Sequence, residues 1–82
     1  MKVVEIRPGK RIVIEAEAFG GFRIRTQEHR SICGGYINDA DSNGWRDCVV
    51  SYTHTMDLAL AETNRRLRSY HVKEIEPDEW LN

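Results

Sequence analysis

The chain reads as an α+β domain: an antiparallel β-meander of about four to six short strands with one α-helix packed on one face. Three observations predict this. Two runs, 11–18 and 22–27, alternate apolar and polar residues on either side of a glycine pair, as a half-buried hairpin requires. One later segment, near 55–70, carries apolar residues at helical spacing behind a capping threonine. Turn-forming pairs, Pro8-Gly9, Gly20-Gly21 and Asn43-Gly44, punctuate the rest. With 82 residues there is room for one core of about two layers, so a single globular domain over 1–82 is expected.

Pro8-Gly9 ends a first strand near 2–7, and a second opens at Lys10. Ile12, Ile14, Ala16 and Ala18 share one face of it, and Val13, Glu15 and Glu17 the other. In the next strand Phe22, Ile24 and Thr26 alternate with Arg23, Arg25 and Gln27. A two-residue Gly20-Gly21 loop would set Ile24 against Glu17 and mix the faces. A three-residue loop, Phe19-Gly20-Gly21, instead pairs Ala18 with Phe22 and Ala16 with Ile24, and sets Glu17 against Arg23 and Glu15 against Arg25. Apolar and charge complementarity agree on an odd loop.

A third strand over 31–37 and a fourth over 45–52 are expected to flank a polar turn, with Tyr36 facing Trp45 and Cys33 facing Cys48. Thr53 or Thr55 caps the helix, Asp57 lies in its first turn, and Met56, Ala59, Leu60, Thr63, Leu67 and Tyr70 form its apolar stripe. Arg65, Arg66 and Arg68 fall near its C-terminal end, where cations complement the helix dipole, and are expected in solvent. Residues 71–76 read as a last short strand, and Trp80-Leu81 as a clasp that folds back on the core.

A net charge of −1, with 40% hydrophobic and 30% charged residues, describes a folded domain with no global field toward nucleic acid or anionic lipid. No apolar run is long enough to span a bilayer, and Met1 to Pro8 lack the apolar stretch of a secretory signal, so a cytoplasmic location is the expectation. Two cysteines are too few for a disulfide scaffold; Cys33 and Cys48, among apolar strand residues, are expected as buried, reduced thiols.

Catalytic and metal chemistry find little support. Asp39-Ala40-Asp41-Ser42-Asn43-Gly44 matches the first half of an EF-hand calcium loop, but Val50 stands where the bidentate carboxylate belongs and no helix precedes it. The same residues make a tight turn, with Asn43-Gly44 supplying left-handed backbone. Cys33, Cys48, His29, His54 and His71 lack the paired spacing of a zinc site. A thiol such as Cys48 in an apolar strand is inert as a nucleophile. The expectation is therefore no enzyme, no metal and no cofactor.

Thr55-Met56-Asp57-Leu58-Ala59-Leu60-Ala61-Glu62, following a strand, is similar to the threonine-capped helix start of HicB-type antitoxin domains, which also place strands before a helix. The likeness covers eight residues and lacks the family's preceding glycine-rich strand segment. An antitoxin-like or regulatory nucleic-acid-binding domain is the alternative reading, with Arg65, Arg66 and Arg68 as its phosphate contacts.

The leading expectation is a small non-enzymatic protein-binding or inhibitory module that works by surface occlusion. Phage and mobile-element inhibitors of host defence machinery, anti-CRISPR proteins among them, offer a class-level analogy of similar size. The contact residues would be those the fold does not need: Asp39, Asp41 and Asp47, with Tyr36 and Trp45 as aromatic anchors. Such a surface suits a protein partner with a basic face. Direct nucleic-acid binding is less favoured, because Glu15 and Glu17 offset Arg23 and Arg25, and no membrane partner is expected.

Overall fold

The computed structural model describes residues 1–31 and 40–80. Four antiparallel strands, β1 (Lys2–Arg7), β2 (Lys10–Ala16), β3 (Phe22–His29) and β4 (Trp45–Thr53), form one sheet in the order β1-β2-β3-β4. Helix α1 (Met56–Ser69) packs on β3 and β4 across one face, and a short turn of helix, α2 (Pro77–Trp80), closes the described chain. The expected α+β meander with one main helix is what forms.

The strand alternation decides which face is buried. Ile12, Ile14 and Ile24 point under the helix and meet Ala59, Leu67 and Trp80 in the core, with Val4, Ile6, Phe22 and Leu60 packed at its margin. Leu67 and Ala59 are fully buried, as the helical stripe requires, whereas Met56 at its start is 40% exposed. Val13 is on the opposite, helix-free face and is nonetheless only 1% exposed, lying between Val3 and Arg25 in the cross-strand ladder.

The β2–β3 hairpin keeps the expected parity but not the expected length. Ala16 pairs with Phe22, Ile14 with Ile24 and Glu15 with Arg23, so the loop spans residues 17–21 rather than Phe19-Gly20-Gly21. Glu17 N–H donates to the Gly21 carbonyl at 3.0 Å and Gly20 N–H to the Glu17 carbonyl at 3.1 Å, which closes the longer turn. Gly20 and Gly21 both take positive φ, 95° and 79°.

One expectation for β4, the burial of Cys48, is corrected. Trp45 lies across from His29 of β3, and β4 runs along β3 over its whole length; Tyr36, expected to face Trp45, and, apart from Ser31, the strand expected over 31–37 lie outside the described residues. Cys48 is exposed, because the β3–β4 register shifts between Thr26/Val49 and Gln27/Asp47 and leaves Cys48 as the extra residue of a bulge. Cys33 lies outside the described residues, as does Leu81 of the clasp.

Residues 71–76 do not form a strand. His71 takes φ 60° to close α1, His71 N–H donates to the Arg68 carbonyl at 3.1 Å, and Val72 N–H reaches the Leu67 carbonyl at 2.9 Å. The backbone that would have paired with a strand is thus committed to a helix cap. Asn64 then holds the tail like a short ladder, accepting from Ile75 N–H at 2.7 Å and donating to its carbonyl at 2.9 Å. Beyond it Trp80 is buried in the core, as the clasp expectation had it.

At the other end of α1, Thr55 is the cap. Its backbone is extended and its hydroxyl accepts from Leu58 N–H at 3.2 Å.

Candidate interaction site

The helix-free face of the sheet carries an ordered array of polar side chains, built by the two-residue period of its strands. Arg23 lies between Glu17, at 3.1 Å, and Glu15, at 3.4 Å. Glu15 also pairs with Arg25, and Arg25 reaches Asp47 at 3.6 Å. Gln27 donates to Asp47 at 2.8 Å and accepts from Arg11 Nε at 2.9 Å. The Arg11 guanidinium in turn stacks 3.9 Å from the centre of the Trp45 ring, and His29 meets the same ring edge-on at 5.0 Å. One continuous chain of contacts therefore runs from the β2–β3 turn to Trp45.

The loop that enters β4 is held by Asp41. Its carboxylate accepts from Asn43 N–H and Trp45 N–H, each at 2.9 Å, while Gly44 N–H donates to the Asp41 carbonyl at 3.0 Å. The Trp45 N–H above all, with the Asn43 N–H and the nearby Arg11 charge, holds the Asp41 carboxyl below the usual carboxylate range. Gly44 has φ 87°, and a Cβ there would lie 2.8 Å from His29 Nε2, so a side chain at this position would strain the backbone and push the His29 ring aside. His29 Nε2 sits 3.0 Å from the Asn43 carbonyl, which ties loop to strand.

Three of the residues singled out in the sequence come together here. Asp41, Trp45 and Asp47, with Arg25 and Gln27, line one shallow polar depression of about 270 Å³. Tyr36 and Asp39 lie outside the described residues. Arg11, Gln27 and His29 belong to the same array and were not anticipated. The signal for the first two was the hairpin register, which pairs Arg11 with Gln27 once the turn is two residues longer.

The turn geometry accounts for Asp41 in the partial calcium-loop pattern, since its Oδ1 accepts from two backbone donors of the turn. Among the described residues, no three His, Cys, Asp or Glu side chains gather closely enough to hold a metal ion. No described helix is long and apolar enough to cross a membrane.

The helix arginines do not form a common surface. Arg65 is exposed and held by Glu62 through two hydrogen bonds, at 3.0 and 2.6 Å. Arg68 pairs with Glu74 at 3.4 Å. Arg66, expected in solvent, is 4% exposed and turned under the helix. It donates to the Ile24 carbonyl at 3.2 Å, to Thr26 Oγ1 at 3.1 Å and to Ser51 Oγ, while Glu62 holds its Nε at 2.9 Å.

The chain matches no protein-family model, and comparisons with curated proteins and with solved structures find no match. The likeness of residues 55–62 to a HicB-type helix start thus rests on those eight residues alone.

Proposed function

We propose that this chain is a small non-enzymatic protein-binding module whose contact site is the helix-free sheet face around Asp41, Trp45 and Asp47. The observation that supports it is their convergence, with Arg25 and Gln27, on one depression of a face that, among the described residues, no helix covers. The array is braced by Arg11 stacked on Trp45 and by the Gln27–Asp47 hydrogen bond, so little side-chain entropy remains to be lost on docking. Asp41 and Asp47 give its rim a negative character suited to a partner with a basic face. The role we assign is occlusion of that partner's surface. An inhibitor of host defence machinery carried by a phage or mobile element, of the anti-CRISPR kind, is the biological form we favour, on size and class alone.

The antitoxin-like, nucleic-acid-binding alternative loses ground on one observation. Of its three arginines, Arg66 is buried and the other two are each held by a glutamate, which removes the free positive field that phosphate contact needs. The deciding experiment is affinity capture from lysate of the organism that carries the gene, with nuclease added. Asp47→Lys should lose the captured protein, whereas Arg65→Glu with Arg68→Glu should keep it. The opposite pattern, or capture that nuclease abolishes, would favour the nucleic-acid reading.

A further inference from the structure

The two edges of the sheet are built differently. Edge strand β1 carries Lys2, Glu5 and Arg7 and is followed by Pro8, while Lys2 Nζ donates to the Glu79 carbonyl of α2 at 3.1 Å. Charges, proline and covering elements are the devices that keep a sheet edge from pairing. Among the described residues, the opposite edge has them only in its first half, where Arg46, Asp47 and the bulge at Cys48 lie. Its second half, Val49-Val50-Ser51-Tyr52-Thr53, has no charge and no proline, and among the described residues no strand pairs with its outer side. Val49 is 49%, Val50 42% and Tyr52 68% exposed. Beside this half, an apolar groove of about 340 Å³ separates β4 from α1, lined on the helix by Leu58, Ala61, Glu62 and Arg65.

From this juxtaposition we infer that the free edge of β4 is the interface for a second copy of this chain, the two β4 strands pairing antiparallel about a two-fold axis at Ser51. A two-fold centred on any residue keeps faces matched, and Ser51 is the middle of the uncharged stretch 49–53. Val50 and Tyr52 lie on the helix-free face, opposite Arg25 and Arg23, and Val49, Ser51 and Thr53 on the helix face, opposite Thr26, Ile24 and Phe22. Centring on Ser51 sets Val50 against Tyr52 of the mate and Val49 against Thr53 of the mate, apolar or neutral in every pair.

The helices agree with it. Because α1 packs over β3 and β4, and strands repeat at about 4.8 Å, the two α1 axes would stand roughly 10 Å apart. That is about the spacing of packed helices. Leu58, Ala61 and Arg65 follow one another at helical spacing along the facing stripe, so an antiparallel mate lays Leu58 against the aliphatic stem of Arg65, with small Ala61 between them. The groove that one copy leaves open is closed by the other.

The paired edge lies outside the Asp41, Trp45 and Asp47 depression, although Val50 and Tyr52 share its face, and the dimer is read on the chain alone, so the two readings fail separately. The test is light scattering with sedimentation of the full chain over about a hundredfold range of concentration. A reversible dimer is expected, reduced to monomer by Val50→Lys with Tyr52→Lys. Both side chains are exposed, and circular dichroism should be unchanged. A chain that stays monomeric throughout, or a dimer indifferent to the two lysines, overturns the inference. Register is tested in a Cys33→Ser, Cys48→Ser background by mixing Val50→Cys and Tyr52→Cys chains. Oxidation should cross-link the mixture more readily than either variant alone. Equal cross-linking of all three samples would show that β4 does not pair about Ser51.

Discussion

Arg66 Nη1 donates to Thr26 Oγ1 at 3.1 Å beneath α1, joining the helix to β3. The contact is buried at both ends, with Arg66 4% and Thr26 1% exposed. A guanidinium in such a place is retained only if its donors are satisfied, and Glu62, Thr26, Ser51 and the Ile24 carbonyl satisfy them.

Arg66→Ala should therefore be among the costliest substitutions on the helix. It leaves a cavity and strands buried acceptors, an effect of roughly 3–5 kcal/mol. Arg66→Met fills the space and should cost less. Arg65→Ala, one position earlier and exposed, should cost much less than either. Urea midpoints of the three variants provide the comparison; equal losses at 65 and 66 would mean that Arg66 is not held under the helix.

Helical phase alone placed Arg66 where it is. Ala59, Thr63, Arg66 and Leu67 are spaced as one buried stripe, but a charged residue beside Arg65 and Arg68 reads as solvated until its acceptors are known. Those acceptors lie on β3 and β4, far away in sequence. The hairpin shows the same division. Odd parity was legible because both faces and charges agree on it, yet slipping by two residues preserves that agreement: Glu17 still meets Arg23, and Glu15 still meets Arg25. The choice of β4 as the partner of β3 left no local trace, since Trp45 fits a hairpin turn equally well with either neighbour. Of the contact site, Asp41, Trp45 and Asp47 were readable as residues the core does not need. Their bracing by Arg11 was not, because it depends on the longer turn.

Acid should destabilise the fold partly through Glu62. The hydrogen bond from Arg65 first, and then that from Arg66, hold its carboxyl below the usual range, against the opposing effect of burial. A folded pKa below the unfolded one gives stability that is present above the unfolded value, near about 4.3, and lost as pH falls through the folded value. The urea midpoint should thus decline on acidification below that point, and Glu62→Gln should flatten the decline while lowering the midpoint at neutral pH. A Glu62→Gln profile parallel to that of the parent protein would show that Glu62 contributes nothing to it.

The turn glycines should differ in what they tolerate. A Cβ at Gly20 meets nothing within 4 Å, whereas at Gly21 it would stand 2.7 Å from the Thr53 carbonyl oxygen. Both positions have positive φ, so Gly20→Ala carries the backbone strain alone, of order 1 kcal/mol. Gly21→Ala adds a clash with the backbone of β4, which β3 holds in place, and should lose clearly more, by roughly 1–3 kcal/mol beyond Gly20→Ala. Thermal melts of the two variants test this. If Gly20→Ala proves the worse of the pair, the hairpin does not pack against Thr53 as described.

Cys48 provides the sharpest test of the bulge. Had β3 and β4 continued in register past Thr26, Cys48 would have paired with Gln27. Instead Asp47 takes that place and Cys48 is extruded at the sheet edge. Its thiol is exposed, and its one described polar contact is a long approach to the Arg46 carbonyl at 3.9 Å. It also lies outside the Val49–Thr53 stretch proposed to pair with a second copy. Ellman's reagent should therefore react rapidly with the native protein, and Cys48→Ser should remove that fast phase without changing the circular dichroism. Restoring simple register would pair position 48 with Gln27 and turn Asp47 away from Arg25. Deleting residue 48 instead removes the extra residue and leaves Asp47 opposite Gln27 in an unbroken ladder, so if the bulge is only an insertion the Tm should stay close to that of Cys48→Ser. If the bend and twist of the bulge are what aim Asp47 at Gln27 and Arg25, the deletion variant should melt well below Cys48→Ser. Slow modification of the native thiol, released only by denaturant, would show that the strand is not bulged at this residue.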